Sequence, residues 1–123
     1  MNAGALEGRW ASDILVLGSA DAYRLLTLDV AVAAVEAAYA AHALGSGELF
    51  PVALRHLAAP DALFVVKSGI WPERDMTGLK LVNYRSTNEA RGLDNHQAVM
   101  LVCDAETGCL RALVDGNAIT TQR

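Results

Sequence analysis

The 123-residue chain has two cysteines, three prolines and only 6% aromatic residues. Cys103 and Cys109 sit six positions apart, a spacing that matches no zinc knuckle, and two thiols are too few for a disulfide scaffold. No apolar run reaches the roughly 18–20 residues that a membrane-spanning helix needs. Residues 1–10 hold one Arg and no continuous apolar core, unlike a secretory signal. Positive charge is scarce as well. The formal net charge is −4, and the ten Lys and Arg form no block, which excludes a general nucleic-acid binder. There is no internal repeat and no low-complexity segment. Gly45-Ser46-Gly47 lacks a third glycine and follows a helical pattern, so it fails the dinucleotide fingerprint. Together these absences leave a cytoplasmic protein with no membrane or nucleic-acid partner as the expectation.

With 53% apolar and 20% charged residues, the chain can bury a core, and its length fits one domain. Residues 1–12 read as a loose leader. Ile14–Leu17 is a short apolar run expected to form a strand. Ser19 or Asp21 can cap a short helix to about Leu26, and Thr27 a longer one. In the longer helix Leu28, Val32, Val35, Tyr39 and Ala43 recur at helical spacing and are expected to form a buried stripe. Gly45 is the expected stop, and His42 near that end is read as structural. Residues 52–67 read as a hairpin and 68–77 as a loop. A strand over 78–84 follows, then a polar loop over 86–95. A second hairpin is expected over 96–114 and a helix from Ala118 to Arg123. A helix of that length cannot hold itself, so the chain reads as a piece of something longer.

The stretch Gly78–Arg85 organises the rest. Lys80 stands in the middle of an apolar strand, where a lysine either snorkels to water or points into a polar pocket. Arg55, His96 and Arg123 are further cationic or imidazole groups on separate elements. Two or three of them converging on one cavity would hold a small carboxylic acid.

From Ile14 onward the sequence resembles the N-terminal domain of the ornithine cyclodeaminase/mu-crystallin family. The likeness is carried by Gly-Leu-Lys-Leu-Val at 78–82, Asn-His-Gln-Ala at 95–98 and Asp-Ala-Glu-Thr-Gly at 104–108. It continues in Asp-Gly-Asn-Ala-Ile-Thr-Thr-Gln-Arg at 115–123, with weaker support from 14–21 and 51–55. The resemblance implies an α+β fold, with N-terminal helices packed on a mixed, mostly antiparallel sheet. This would be the substrate-binding and dimerisation domain, over 13–115, without its Rossmann domain. Residues 116–123 would begin the helix leading into that missing nucleotide-binding domain.

The resemblance also implies NAD or NADP as cofactor, a small amino or imino acid as substrate, and a homodimer for the whole protein. The implied activity is ornithine cyclodeamination or reduction of a ketimine or related amino-acid precursor. Lys80 matches the family's active-site lysine, and Arg55 and Arg123 match arginines that help hold the substrate carboxylate. His96, Gln97 and Arg123 match positions that approach the cofactor. Two departures stand out. Many members have Met-Pro-Ala-Tyr where this chain has Val66-Lys67-Ser68-Gly69, and position 95 is Asn where mu-crystallin has Ser. A second reading is a non-catalytic ligand-binding or self-association module on the same sheet, and a third is a generic α+β domain. A reading frame continuing into a Gly-rich nucleotide loop separates the enzyme from the module. For an enzyme, a carboxylate clamp would fix the substrate's Cα against the nicotinamide, and Lys80 could exchange a proton with the imine or amine nitrogen.

Overall fold

Runs of β-branched and apolar residues between turn signals build one mixed sheet, described in a computed structural model covering residues 13–58 and 61–122. Its strands are β1 (Leu15–Leu17), β2 (Glu48–Leu49), β3 (Ala53–His56), β4 (Ala62–Trp71), β5 (Met76–Arg85), β6 (His96–Asp104) and β7 (Leu110–Asp115). Three α-helices accompany them: α1 (Ser19–Leu25), α2 (Leu28–Leu44) and α3 (Gly116–Gln122). The spatial order is β1-β7-β6-β5-β4-β2, with β3 also on β4. Every pairing is antiparallel except β1 with β7. The architecture is thus the expected α+β arrangement on a mixed, mostly antiparallel sheet.

Two strands are longer than the sequence reading gave. Residues 68–77, expected as a loop, instead extend β4 to Trp71 and start β5 at Met76, around a 3-10 turn at Pro72–Arg74. Gly69 and Trp71 looked like loop punctuation. In fact Gly69 is a point of close approach, because a Cβ there would meet the Glu48 carbonyl oxygen at 2.6 Å. The glycine lets β2 pair with β4 through Leu49↔Gly69. Lys80 consequently lies mid-strand in a ten-residue β5, opposed on both sides, rather than close to a strand end.

The helices differ in how they are held. Thr27 caps α2 by accepting from Val30 N at 3.4 Å, and Gly45 ends it in the left-handed conformation, both as expected. At α1 the capping residue is Gly18, with no side-chain bond, so neither Ser19 nor Asp21 caps it. The expected buried stripe of α2 is not buried. Leu28 is 69% exposed and Tyr39 74%, and Val32, Val35 and Ala43 are exposed too. No described element packs extensively on α2, and its buried positions are Ala31 and Ala41. Periodicity marks a face able to be covered, and burial also needs a covering element. Of the N-terminal helices, then, α1 packs on this unit, and α2 is bent by 83° relative to α1. No single helix among the described residues is long and apolar enough to cross a membrane.

The core joins Ala22 of α1, Val114 of β7 and Ala118 of α3, with Leu17, Met100, Ala112 and Ile119 around them. The helix after β7 begins at Gly116, two residues earlier than expected. Asp115 caps it by accepting from Asn117 N at 2.8 Å and Ala118 N at 3.2 Å. Ala118 is 1% exposed, so packing holds this short helix as part of the same core.

At the far end of β6, Arg111 bridges Asp104 and Asp75, the latter at 3.0 Å. Thr107 donates to Asp104 through its backbone N–H and hydroxyl, and these bonds, with the Arg111 guanidinium, hold the Asp104 carboxyl at about 2, below its ordinary 3.8. A carboxyl whose folded pKa is depressed stabilises above its unfolded pKa and loses that contribution as pH falls toward the folded value. Thermal melts should therefore place Asp104→Asn below the parent at pH 6, with the gap closing between about pH 4 and pH 2. A gap independent of pH would contradict the assignment.

Candidate functional site

Strand register decides which side chains can meet, because residues directly opposite across an antiparallel ladder share a face and alternate residues along a strand reverse it. Lys80 stands opposite Lys67 on β4 and Met100 on β6, and Met100 stands opposite Val114 on β7. This is the face on which α1 and α3 pack, since Val114 and Met100 belong to their core. Four residues along β5, Tyr84 lies opposite Leu63 and His96, and Leu63 lies opposite His56. His56, Leu63, Tyr84 and His96 therefore form a row on the Lys80 face. His56, Leu63 and Tyr84, together with Asp61 and Ser86, line a cleft of about 280 Å³.

Lys80 is 9% exposed, the burial expected of a lysine with defined polar partners rather than of a solvated one. Its ammonium donates to the Thr120 hydroxyl of α3 at 2.5 Å. Thr120 in turn donates to the Gly116 carbonyl at 2.7 Å. Because the hydroxyl proton is engaged there, Thr120 presents a lone pair to Nζ, and it can hold the amine whether charged or neutral. The helix carrying Thr120 is pinned to β6 by Asn117. The Asn117 side chain accepts from Ala98 N at 2.8 Å and donates to the His96 carbonyl at 2.9 Å. The same Oδ1 lies 3.3 Å from His96 Nδ1. With Nδ1 protonated and donating to Asn117, Nε2 is left as the ring's acceptor.

The sheet separates residues that the sequence reading brought together. Arg55 lies opposite Phe64, which lies opposite Asn83, which lies opposite Gln97. Asn83 is three residues from Lys80, so this whole row faces the other side of the sheet. Arg55 is exposed, and its guanidinium donates to the carbonyl of its neighbour Leu54 at 3.0 Å. Arg55 and Lys80 therefore project from opposite faces of the sheet. Gln97 likewise faces away from Lys80 and His96, with its amide donating to the Asp94 carbonyl at 2.8 Å. Arg123 lies outside the described residues. The polar loop over 86–95 holds a 3-10 turn, Glu89–Arg91, braced by the buried Asn88, whose amide donates to the Asp94 carbonyl.

Two residues of the site escaped the sequence reading. Asn117 looked like part of a breaker, and Thr120 like an ordinary helix residue. What could have exposed both is the three-residue spacing from Asn117 to Thr120, which puts them within one turn of a helix. No group of three or more His, Cys, Asp or Glu able to hold a metal occurs among the described residues.

Comparison with known proteins agrees with this architecture. Residues 13–123 match the ornithine cyclodeaminase/mu-crystallin family. The iminosuccinate reductase of Paracoccus denitrificans is 33% identical over 110 residues, covering 89% of this chain and 34% of the reductase. Its crystal structure in complex with NAD+ superposes with a TM-score of 0.84 at 32% identity, over 89% of this chain and 34% of that one. An archaeal alanine dehydrogenase dimer with bound NAD gives a TM-score of 0.82 at 27% identity, over 89% and 33%. The chain spans about a third of the length of these relatives. With the match running through both the Lys80 strand and the α3 segment, this chain belongs to the ornithine cyclodeaminase/mu-crystallin family.

Proposed function

We propose that this chain supplies the substrate-binding part of an NAD(P)-dependent enzyme that reduces a small imino acid or deaminates a small amino acid. The observation that carries the reading is the nearly buried Lys80, held by Thr120 on the face where the cleft opens. In this reading Lys80 attracts the acid's carboxylate and holds or delivers a proton at the substrate nitrogen. Thr120 fixes Nζ so that this proton has one direction. Arg123 would add a second cationic contact to the carboxylate.

A nicotinamide cofactor fits these residues only at one edge. His96, on the Lys80 face, offers Nε2 toward a carboxamide or ribose. Of the two strand-to-helix turns among the described residues, the one after β7 is capped by the Asp115 carboxylate, which occupies amides that a pyrophosphate would need. The other, at Gly18, lacks the repeated glycines of a phosphate loop. His96, and Arg123 with it, would thus meet the nicotinamide end, and when bound that group supplies the hydride. The relatives' names support NAD and imino- or amino-acid chemistry. A cytoplasmic homodimer is part of the same proposal, the dimer being supported by the exposed apolar side chains of α2.

The test is a chimera in which residues 13–123 replace the matched third of the Paracoccus denitrificans reductase. It should oxidise NADH when given an imino acid, whereas the isolated chain should not. A folded chimera that binds NADH without turnover would favour a non-catalytic binding module.

A further inference from the structure

Strand β7 ends at Asp115, opposite Val99, and the Asn117 side chain takes up the next backbone groups of β6. Its Oδ1 accepts from Ala98 N at 2.8 Å, and its Nδ2 donates to the His96 carbonyl at 2.9 Å. Turning the amide over would set two donors against each other at Ala98 and two acceptors at His96. The backbone of β6 therefore fixes which end of the amide is oxygen. That same Oδ1 lies 3.3 Å from His96 Nδ1. An amide oxygen only accepts, so the neutral imidazole meets it with a proton on Nδ1 and keeps Nε2 bare. The nearby Asp115 carboxylate does not compete, because it is spent on Asn117 N and Ala118 N. Directly across the strand from His96 is Tyr84. Asn117 also precedes Thr120, the partner of Lys80, by three residues on α3. One helical turn thus directs both polar groups of the Lys80 face.

We infer that Asn117 is a positioning residue that locks His96 in its Nδ1–H form, so that Nε2 meets the ligand as an acceptor and selects a hydrogen-bond donor there. This rests on His96 facing the nicotinamide end of the cofactor, where the carboxamide NH₂ or a ribose hydroxyl supplies the donor. Asn117 acts through His96 and touches no reacting atom. A histidine in the other form would present an N–H at the same point and would suit a carbonyl or carboxylate instead.

The first experiment labels the histidines of the chain with ¹⁵N and records their ring nitrogens at about pH 9, where an ordinary imidazole is neutral. His96 is distinguished from His42 and His56 by the signals lost in His96→Gln. The parent should show a protonated Nδ1 and a bare Nε2. Asn117→Ala should shift the proton to Nε2. Asn117→Asp keeps the acceptor and gives up only the donor to the His96 carbonyl, so it should retain the parent pattern. A parent with the proton on Nε2 overturns the inference even if Asn117→Ala fails to fold, and so does a folded Asn117→Ala with the parent pattern. The second experiment measures NADH affinity in the chimera. Asn117→Ala should weaken it roughly tenfold, the loss of about one hydrogen bond, and Asn117→Asp should restore most of it. The 3-acetylpyridine analogue of NADH lacks the carboxamide NH₂. Parent binding roughly tenfold weaker than NADH assigns the donor to the carboxamide, and equal binding assigns it to the ribose. If Asn117→Ala moves the proton but leaves NADH affinity unchanged, the donor-selecting role and the cofactor reading of His96 fall together, and the tautomer assignment stands.

Discussion

Lys80→Met should cut kcat of the chimera by roughly 10²–10⁴-fold, the range that a positioned proton-transfer group contributes. Methionine keeps an unbranched stem of similar length, so the packing against Met100 and α3 survives and the effect is confined to the amine. Thr120 retains its bond to the Gly116 carbonyl, so no hydroxyl proton is orphaned. A melting temperature close to the parent's, together with the lost turnover, would separate chemistry from folding. NADH affinity should change little, because Lys80 lies on β5, outside any phosphate-binding turn. If turnover falls by less than about threefold, Lys80 is not the proton-transfer group.

Gly116→Ala is the substitution with the largest expected effect on stability. A Cβ at this position would meet Ala98 Cβ at 2.8 Å, Ala98 C at 2.9 Å and Val99 N at 3.0 Å. Two of those atoms are backbone of β6 and cannot step aside, so α3 must lift off the sheet. Overpacking of this kind costs about 1–3 kcal/mol. The same shift would draw Thr120 away from Lys80, since both belong to the α3 contact with the Lys80 face. Denaturant melts should show the lowered midpoint, and the chimera should lose activity beyond what its folded fraction explains. An unchanged midpoint would mean that α3 does not sit against Ala98.

Some of this was legible in the residues and some was not. Lys80 could be picked out because a charged side chain interrupts an apolar strand, and the α+β class followed from the alternation of turn signals with β-branched runs. The family likeness came from ordered motifs, including the 115–123 segment that carries Thr120. The faces were harder. His96 and Gln97 are adjacent on one strand, and the period of two already separates them. Arg55 is a different case: its side depends on how β3 registers on β4, and a shift of one residue would have turned it to the Lys80 side. Hairpin loop geometry sets that register, and no local propensity encodes it. The Lys67–Lys80 pairing was hidden for the same reason. The stripe on α2 failed for another: helical spacing describes the helix alone, whereas burial depends on a surface supplied from elsewhere.

The central claim is that chemistry belongs to the α3-covered face of the sheet. Its most direct test compares kcat of Lys80→Met and Arg55→Met in the same chimera. The first should lose at least about 100-fold and the second should stay within about twofold of the parent. Equal, large losses in both would contradict it, because two side chains on opposite faces of one sheet cannot share a substrate carbon.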